Sequence, residues 1–416
     1  MTMSAERIEQ EVNAWLDEHW DPTLSLEAWR TLLVDGGWST PAWPSEYFGR
    51  DFTIEQAAVV ARVFKEREIV PVAQTGPRRL AAETILAMGN DDQKRRYLRP
   101  ILTGEHSWCQ LFSEPGSGSD LAGLSTKAEL KDGKWIINGQ KVWNTSAHHA
   151  DFGILVARTD FDLPKHQGIS YFLIDMHQPG VEVRPLKQMN GHASFNEVFM
   201  TDAVVATEDL VGGEGNGWAV AKTTLSYERR LGGVTRSFGG VQEERVGRVY
   251  DEYAQELKIA NEPYTWYPQR QGRVDLVVSR ARETGAISDP TVRQEIARLM
   301  CMYKGAAFAS AAAEAKRKTG SNELVPAGSI GKLAASKIAR QAAHVHTLIS
   351  GADAMRSGPE SAEDGMIAEV LISVPAISIA GGTDEIQRNI ISERVLDMPK
   401  ETRSDTGPFR DIKRND

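Results

Sequence analysis

The first part of the chain, residues 1–105, carries apolar residues at helical spacing from about residue 4 onward. In the stretch TIEQAAVVARVFKEREI, for example, Ile54, Ala57 and Ala61 fall on one face of a helix. This spacing predicts a helical N-terminal domain over residues 1–105.

Between residues 106 and 215 the pattern changes to short runs rich in β-branched and aromatic residues. The runs are SWCQLFS, STKAEL, KWIING, QKVWNT, FGILVART, GISYFLI, VEVRPL and NEVFMT. The turn dipeptides Asp132-Gly133 and Asn138-Gly139 punctuate them. We therefore predict a compact antiparallel β domain over residues 106–215.

The helical period returns after residue 216 and continues to near residue 398, with alanine-rich stretches such as SIGKLAASKIARQAAHVHTLI. Residues 216–416 are therefore predicted to form a C-terminal helical domain. Helices, then sheet, then helices give an α+β multidomain protein.

Composition narrows the class of protein. The 416 residues include 41% hydrophobic residues, enough for a large core, and the net charge is -9. This acidic balance argues against a nucleic-acid surface. The acidic, amphipathic N-terminus and the lack of a long apolar run predict a cytoplasmic protein with no membrane span. With only Cys109 and Cys301, we expect neither a disulfide framework nor a thiolate metal cluster.

Several common chemistries find no support in the motifs. The glycines near residue 116 and near residue 213 do not have the spacing of a dinucleotide-binding βαβ unit. The chain has no phosphate-binding P-loop and no G-x-S-x-G elbow. His148 and His149 are adjacent and have no third ligand at a recognisable spacing, so we expect no metal site.

The stretch FSEPGSGSD, residues 112–120, is the first candidate site, and we call it the glycine loop. Its glycines and serines offer little packing, which is typical of a surface turn or of a backbone that a ligand approaches closely. Nearby, Trp143 is followed by Asn144 and Thr145 at a strand end. An indole, side-chain hydrogen-bonding groups and backbone N–H groups suit a flat heteroaromatic phosphate ligand. Taken alone, however, a Trp at a strand end is more often a buried core residue, and on these residues by themselves we favour that interpretation of Trp143.

At these residues the chain resembles the acyl-CoA dehydrogenases over nearly its whole length. The matching stretches are QLFSEPGSGSD (110–120), GQKVWNT (139–145), LSYERR (225–230) and AGGTDEIQRNIISERVL (380–396). The resemblance implies N-terminal helices, a central β domain, a C-terminal four-helix bundle, and FAD held between the last two. It also implies a homo-oligomer, a dimer or a tetramer.

The resemblance further implies roles for individual residues. Cofactor-binding roles fall on Gln110, Phe112, Ser113, Gly118, Ser119, Trp143, Asn144, Thr145, Gly351, Thr383 and Glu385. In this comparison Gly351 would reach the FAD of a neighbouring subunit. Substrate-binding roles fall on Ser119, Arg229, Gly381 and Gly382.

The implied reaction removes two hydrogens from an acyl-CoA and gives a trans-2-enoyl-CoA, with flavin N5 as hydride acceptor. Many members of the family carry the catalytic base where this chain has Gly381, which cannot take a proton. One branch instead places the base at the position of Glu228, and here Leu225, Glu228 and Gly232 share one face of the predicted helix. We therefore predict Glu228 as the base.

The resemblance also implies a place in fatty-acid and lipid metabolism and an electron-transferring flavoprotein as acceptor. Two further classes stay open: an acyl-CoA oxidase or flavin monooxygenase of the same fold, and a subunit of a heteromeric dehydrogenase. The second is suggested because NEPYTWYPQRQGR (261–273) stands where the family usually has an Arg-x-x-Phe-Gly segment. The Gln often found before the Gly351 loop is also replaced, by residues that include His346.

Overall fold

A computed structural model of the protein describes residues 3–72, 76–232, 245–318, 327–402 and 405–412. Over these residues a helical N-terminal part is followed by a central, mostly antiparallel sheet and a helical C-terminal part. The predicted fold class is confirmed. The domain boundaries at residues 105 and 215 stay predictions; the nearest elements end at Thr103 and Val211.

The described N-terminal part has five α-helices, four of which begin at polar caps (Ser4, Ser25, Thr53 and Asn90). They are α1 (Ala5–His19), α2 (Leu26–Asp35), α3 (Ile54–Glu66), α4 (Gly76–Met88) and α5 (Asp91–Thr103). In α3 the capping box is formed by Thr53 and Gln56. Its buried face carries Val60 and Val63, whereas Ile54 at the first turn is 80% exposed. The helix was predicted correctly, but the residues that it buries are the valines of its middle turns and not Ile54.

The strands of the central sheet are β1 (Trp108–Leu111), β2 (Lys127–Lys131), β3 (Lys134–Thr145), β4 (Phe152–Arg158), β5 (Ile169–Asp175), β6 (Val181–Leu186), β7 (Phe195–Ala206) and β8 (Leu210–Val211). Their order in the sheet is β6-β7-β3-β2-β4-β5-β8, and β1 pairs with β4. Two pairings are parallel, β1 with β4 and one bridge of β2 with β4, so the sheet is not purely antiparallel. The long crossover that carries the glycine loop permits the first of these.

Only one of the two turn dipeptides makes a hairpin. Asp132 and Gly133 both have positive φ (49° and 75°), as a two-residue hairpin turn needs, and they join β2 to β3. KWIING and QKVWNT, predicted as separate strands, are instead one strand, β3, with an irregularity at residues 137–139. A Cβ on Gly139 would lie 2.5 Å from Thr126 Oγ1, so close packing explains this glycine.

The C-terminal helices pack partly on each other and partly on the other two regions. They are α6 (Gly217–Gly232), α7 (Arg248–Asn261), α8 (Tyr267–Arg270), α9 (Val277–Glu283), α10 (Pro290–Lys318), α11 (Ala327–Ser350), α12 (Met366–Ser373) and α13 (Asp384–Arg394). Helix α11 packs against α10 and α13, whereas α7 packs against α2. In the described part of the chain, no helix is both long and apolar enough to cross a membrane.

Helix α6 is fixed in a core shared by all three parts of the protein. Buried apolar residues from α4, α5, β1, β4, β5 and α6 form one cluster, in which Leu80, Ile154 and Val220 are members. Beside them, Thr224 Oγ1 lies 2.9 Å from Thr84 Oγ1 and 3.1 Å from the Tyr171 hydroxyl, all three residues being fully buried. This packing sets the helix against the sheet one turn before Glu228.

Candidate active site

The glycine loop begins with a tight turn whose outer side is open. Glu114 and Ser117 exchange two backbone hydrogen bonds of 3.0 Å. A Cβ added to Gly116 or to Gly118 would meet no described atom within 4 Å, and Ser119 is exposed. The loop therefore presents bare backbone outward, where a ligand can approach it closely.

A buried ion pair holds the start of this loop. Lys141 Nζ in β3 lies 2.8 Å from Glu114 Oε1, and both side chains are buried. Lys141 also donates to the Phe112 carbonyl at 3.0 Å, and the backbone N–H groups of Ser125 and Thr126 donate to the Glu114 carboxylate. Burial acts to raise the pKa of Glu114, but attraction to Lys141 and these hydrogen bonds outweigh it and lower the pKa to about 2.

Because of this ion pair, we predict that the stability of the folded protein decreases in acid. The Glu114 pKa falls from its ordinary 4.5 to about 2 in the folded protein. The ionised Glu114 carboxylate therefore contributes at most about 3 kcal/mol to the free energy of unfolding. This contribution is complete above pH 4.5 and is lost as the pH falls toward 2. We expect the gap in free energy of unfolding between wild type and Glu114→Gln to narrow between pH 6 and pH 3 in urea titrations. A gap that stays constant over this range would contradict the assignment.

Trp143 lies on a bulge in β3 and projects outward. The register between β3 and β7 shifts between Lys141 and Asn144, and Trp143 has a left-handed φ of 64°. Its side chain is 56% exposed, with its ring edge-on to Phe195 at 5.7 Å between centroids. The interpretation of Trp143 as a core residue is therefore wrong. A bulky residue held in this backbone region is strained, as is common at functional sites.

Asn144 ties the bulge to β1. Its side-chain Nδ2 donates to the Gln110 carbonyl at 2.7 Å, and its own carbonyl accepts from Asn196 Nδ2 at 2.9 Å. Asn144 Oδ1 is buried and has no hydrogen-bond partner among the described residues. Thr145 follows, half-buried and paired with Phe195. Gln110, Asn144 and Thr145 thus line the end of the sheet beside the glycine loop.

Glu228 reaches the same edge from α6. Gln110 Nε2 donates to Glu228 Oε2 at 3.5 Å, a long contact that links β1 with the C-terminal helices. Glu228 is half-buried and lies one turn after the buried Thr224. A carboxylate on a fixed helix, beside an amide donor and partly shielded from water, has the chemistry of a general base.

The segment around Gly381 forms a left-handed turn before α13. Gly381 and Gly382 have φ of 67° and 84°, and Gln387 Nε2 donates to both of their carbonyls at 3.2 and 3.1 Å. Thr383 caps α13 by accepting from the Ile386 N–H. A Cβ on Gly381 would meet no described atom within 4 Å, which leaves room for a ligand or a larger side chain.

The remaining predicted site residues are dispersed. The Phe112 ring packs edge-on against Tyr171 in the core, so only its backbone can face a ligand. Gly351, with φ of 56°, lies exposed just after α11, and Glu385 is exposed beside Arg388. The side chain of Arg229 lies outside the described residues. The individual roles of all these residues stay predictions.

The structure also shows residues that sequence patterns did not single out. The Glu114–Lys141 pair and the Thr84–Tyr171–Thr224 network join positions far apart in the chain. A buried Arg280 near Gly351 bonds His346, Ser350 and Glu363. The presence of a lysine inside the strand segment QKVWNT was the one available signal for Lys141.

The residues at this edge of the sheet fit a flavin. The open backbone at Gly116 and Gly118 suits phosphates, because N–H groups can face them without a side chain between. The exposed Trp143 indole offers a face for a flat ring, and the unpartnered Asn144 Oδ1 offers a hydrogen-bond acceptor. An aromatic, phosphate-bearing cofactor satisfies all three features.

Comparisons with known proteins identify the same family in all three parts of the chain. Three protein-family models match this chain in sequence order. They are the acyl-CoA dehydrogenase N-terminal domain at residues 2–105, the middle domain at residues 109–203 and the C-terminal domain at residues 270–396. Acyl-CoA dehydrogenase FadE34 of Mycobacterium tuberculosis is 34% identical over 91% of this chain, which spans only 47% of that protein. Acyl-CoA dehydrogenase IpdE1 of the same organism is 32% identical over 90% of this chain and 89% of its own length.

Solved structures show the same fold. A structure described as the Tcur3481-Tcur3483 steroid ACAD has a TM-score of 0.64 at 21% identity, covering 95% of this chain and 98% of that chain. A glutaryl-coenzyme A dehydrogenase in complex with glutaryl-CoA has a TM-score of 0.61 at 21% identity and 98% coverage of both chains. At such identities the likeness concerns the fold alone.

Proposed function

Because this chain belongs to the acyl-CoA dehydrogenase family and is therefore an oxidoreductase, we propose that it converts an acyl-CoA thioester to a trans-2-enoyl-CoA with Glu228 as the base. The observation that carries this proposal is the contact between Gln110 Nε2 and Glu228 Oε2. It brings the carboxylate of α6 to the edge of the sheet where the glycine loop, Asn144 and Trp143 meet.

Glu228 takes the proton from Cα of the acyl group in this proposal. An α-proton of a thioester is weakly acidic, so its removal needs a fixed base and hydrogen bonds to the carbonyl oxygen. The packing around Thr224 fixes α6, and Gln110 orients one carboxylate oxygen. The Glu228 carboxylate takes the proton, which reaches solvent after the product leaves.

We assign the thioester contacts to the turn before α13 and to polar residues around it. Gly381 and Gly382 expose backbone at a left-handed turn, and a backbone N–H there donates to the thioester oxygen in our proposal. Ser119, exposed at the glycine loop, and Arg229, next to the base, complete the proposed substrate contacts.

We propose FAD, held without a covalent bond, as the cofactor. Bound FAD supplies the acceptor for the hydride that leaves Cβ. The proposed contacts come from the glycine loop, the end of β3 and the start of α13, with Gly351 serving a neighbouring subunit of a homo-oligomer. An electron-transferring flavoprotein in the cytoplasm is the proposed oxidant of the reduced enzyme.

Purification of the chain by itself tests the cofactor directly. We expect a yellow protein with flavin absorbance bands, whose FAD is released by denaturation and is therefore not covalently attached. Turnover of acyl-CoA with an artificial electron acceptor should exceed turnover with O2, whereas the reverse would favour an oxidase or monooxygenase. A folded, colourless protein that takes up no added FAD would contradict the proposal.

Substitution of Trp143 tests whether the exposed indole covers the flavin ring. We expect Trp143→Ala to weaken FAD binding by about 1 to 3 kcal/mol, the range for bases stacked on aromatic side chains. Trp143→Gly should weaken it similarly while leaving the apoprotein at least as stable, because glycine tolerates the φ of 64°. Trp143→Phe should keep most of the affinity. Loss of thermal stability with unchanged FAD affinity would refute the stacking role.

A subunit role in a mixed assembly is the second candidate. Gly381 offers no base, and residues 261–273 form short helical turns in place of the Arg-x-x-Phe-Gly segment. The fold also resembles a structure described as the ChsE4-ChsE5 complex of Mycobacterium tuberculosis. If the purified chain is colourless but gains FAD on mixing with a second acyl-CoA dehydrogenase chain, this candidate replaces the homo-oligomer.

A further inference from the structure

Residues 405–412, which we call the C-terminal strap, return from the helical region to the central sheet. They lie against residues 161–164, in the connection between β4 and β5. The Phe409 N–H donates to the Leu163 carbonyl at 3.0 Å, and the Arg410 N–H donates to the Phe161 carbonyl at 2.9 Å. Phe409 is only 2% exposed, so the strap is packed into the protein.

Phe409 covers a buried arginine that holds the far end of the glycine loop. The Arg158 guanidinium is fully buried and lies 3.4 Å from the centroid of the Phe409 ring. Arg158 donates to the carbonyls of Ala122 at 2.7 Å and Leu124 at 3.1 Å. These two residues lie just after the glycine loop. The Phe409 ring therefore covers the arginine whose hydrogen bonds fix their backbone.

A second link runs through Lys165. Its side chain is almost fully buried, and its Nζ lies 2.7 and 2.8 Å from the two carboxylate oxygens of Asp120, the last residue of the glycine loop. The same Nζ pairs with Asp405 of the strap. Ser117 Oγ donates to the Asp120 carbonyl at 2.6 Å, which connects this lysine to the turn of the loop.

We propose that Phe409 and Asp405 are positioning residues for the glycine loop, acting through Arg158 and Lys165. The buried pair of Glu114 and Lys141 fixes one end of the loop, and the strap completes the anchoring of the other end. Between these anchors, Gly116 and Gly118 keep their open backbone in place. A loop ordered in advance binds its ligand more tightly, because less conformational entropy is lost on binding.

Hydrogen exchange in the full-length apoprotein tests the positioning without any cofactor. We expect Phe409→Ala to speed amide exchange in residues 116–124 about tenfold relative to wild type, while α4 and β5 keep their protection. Arg410→Ala is the matched control, because Arg410 pairs with Asp162 at the surface and leaves Phe409 in place. Equal exchange in residues 116–124 for Phe409→Ala and wild type, or an equal rise for Arg410→Ala, would overturn the proposal.

Asp405→Asn provides a second variant should Phe409→Ala fail to fold. It removes one carboxylate from Lys165 and leaves the packing of Phe409 intact, so we expect faster exchange at residues 119–124; wild-type exchange there would overturn the Lys165 link. Phe409→Tyr keeps an aromatic face and should restore protection. A merely structural role would lower the melting temperature without this local pattern.

Measuring the affinity for added FAD tests whether the strap affects cofactor binding. This test rests on the proposed function. We expect the FAD dissociation constant to rise about five- to tenfold in Phe409→Ala and to stay unchanged in Arg410→Ala. If wild type itself binds no FAD, the proposed cofactor is wrong, and the exchange experiment still judges the strap. If wild type binds FAD and Phe409→Ala binds it equally well, the strap has no positioning role.

Discussion

Glu228→Gln is expected to abolish turnover while FAD and acyl-CoA still bind. Gln keeps the volume of Glu and can still contact Gln110, so α6 and its packing should be unchanged. An amide cannot take the α-proton, and loss of a positioned base lowers the rate by about 10² to 10⁴, or more where no other base is near. The measurement is flavin bleaching in single turnover without oxygen, on mixing with a panel of acyl-CoAs.

The matched control for this variant is Glu214→Gln. Glu214 is an exposed glutamate shortly before α6, so its loss tests the effect of removing one negative charge near the same helix. We expect wild-type bleaching rates for this control. If Glu228→Gln also bleaches as fast as wild type, Glu228 is not the base.

Moving the carboxylate offers a positive test of the same site. Gly381→Glu on the Glu228→Gln background should restore part of the activity, because a Cβ at Gly381 meets no described atom within 4 Å. We expect incomplete recovery, since the φ of 67° strains any residue other than glycine by roughly 1 kcal/mol or more. Full inactivity of a folded, FAD-loaded double variant would place the two positions on different sides of the substrate.

Lys141→Met is expected to give the largest loss of stability. It leaves the buried Glu114 carboxylate without its cation, which typically lowers the free energy of unfolding by about 3 to 5 kcal/mol. The pKa of Glu114 should rise in this variant, because burial is then opposed only by the hydrogen bonds from Ser125 and Thr126. Urea unfolding followed by circular dichroism measures the change in stability.

Two further proteins make this test specific. Lys131→Met removes a surface lysine that pairs with Glu129, and we expect a change of less than about 1 kcal/mol. The double variant Glu114→Gln, Lys141→Met should recover much of the loss, because no unpaired charge remains buried. A Lys141→Met effect as small as that of Lys131→Met would show that the ion pair does not stabilise the protein.

Local patterns were enough to predict the fold class and several features of the site. Apolar spacing located the helices, and the Asp132-Gly133 turn was correctly read because glycine and aspartate tolerate positive φ. The bare backbone of the glycine loop indicated an open surface, which the structure shows at Gly116 and Gly118. These features depend on neighbouring residues, so a single sequence contains them.

Features that depend on distant residues could not be predicted in the same way. The parallel pairing of β1 with β4 and the exposure of Trp143 follow from sheet register and a bulge, which no local pattern encodes. Asn138-Gly139 looks like a turn, yet the glycine serves close packing against Thr126 inside a strand. The ion pair of Glu114 with Lys141 likewise requires two separate segments to meet.

The docking of the C-terminal strap has a consequence for biosynthesis. Asp120, Arg158 and Lys165 leave the ribosome long before Phe409, which is almost 290 residues after Asp120. At about 5 to 20 residues per second, this interval lasts roughly 15 to 60 s. The central sheet ends at Val211, 198 residues before Phe409, so once synthesised it lacks Phe409 over Arg158 and Asp405 beside Lys165 for about 10 to 40 s. If FAD is the cofactor as proposed, the protein should therefore reach its full FAD affinity only after residue 409 has been translated.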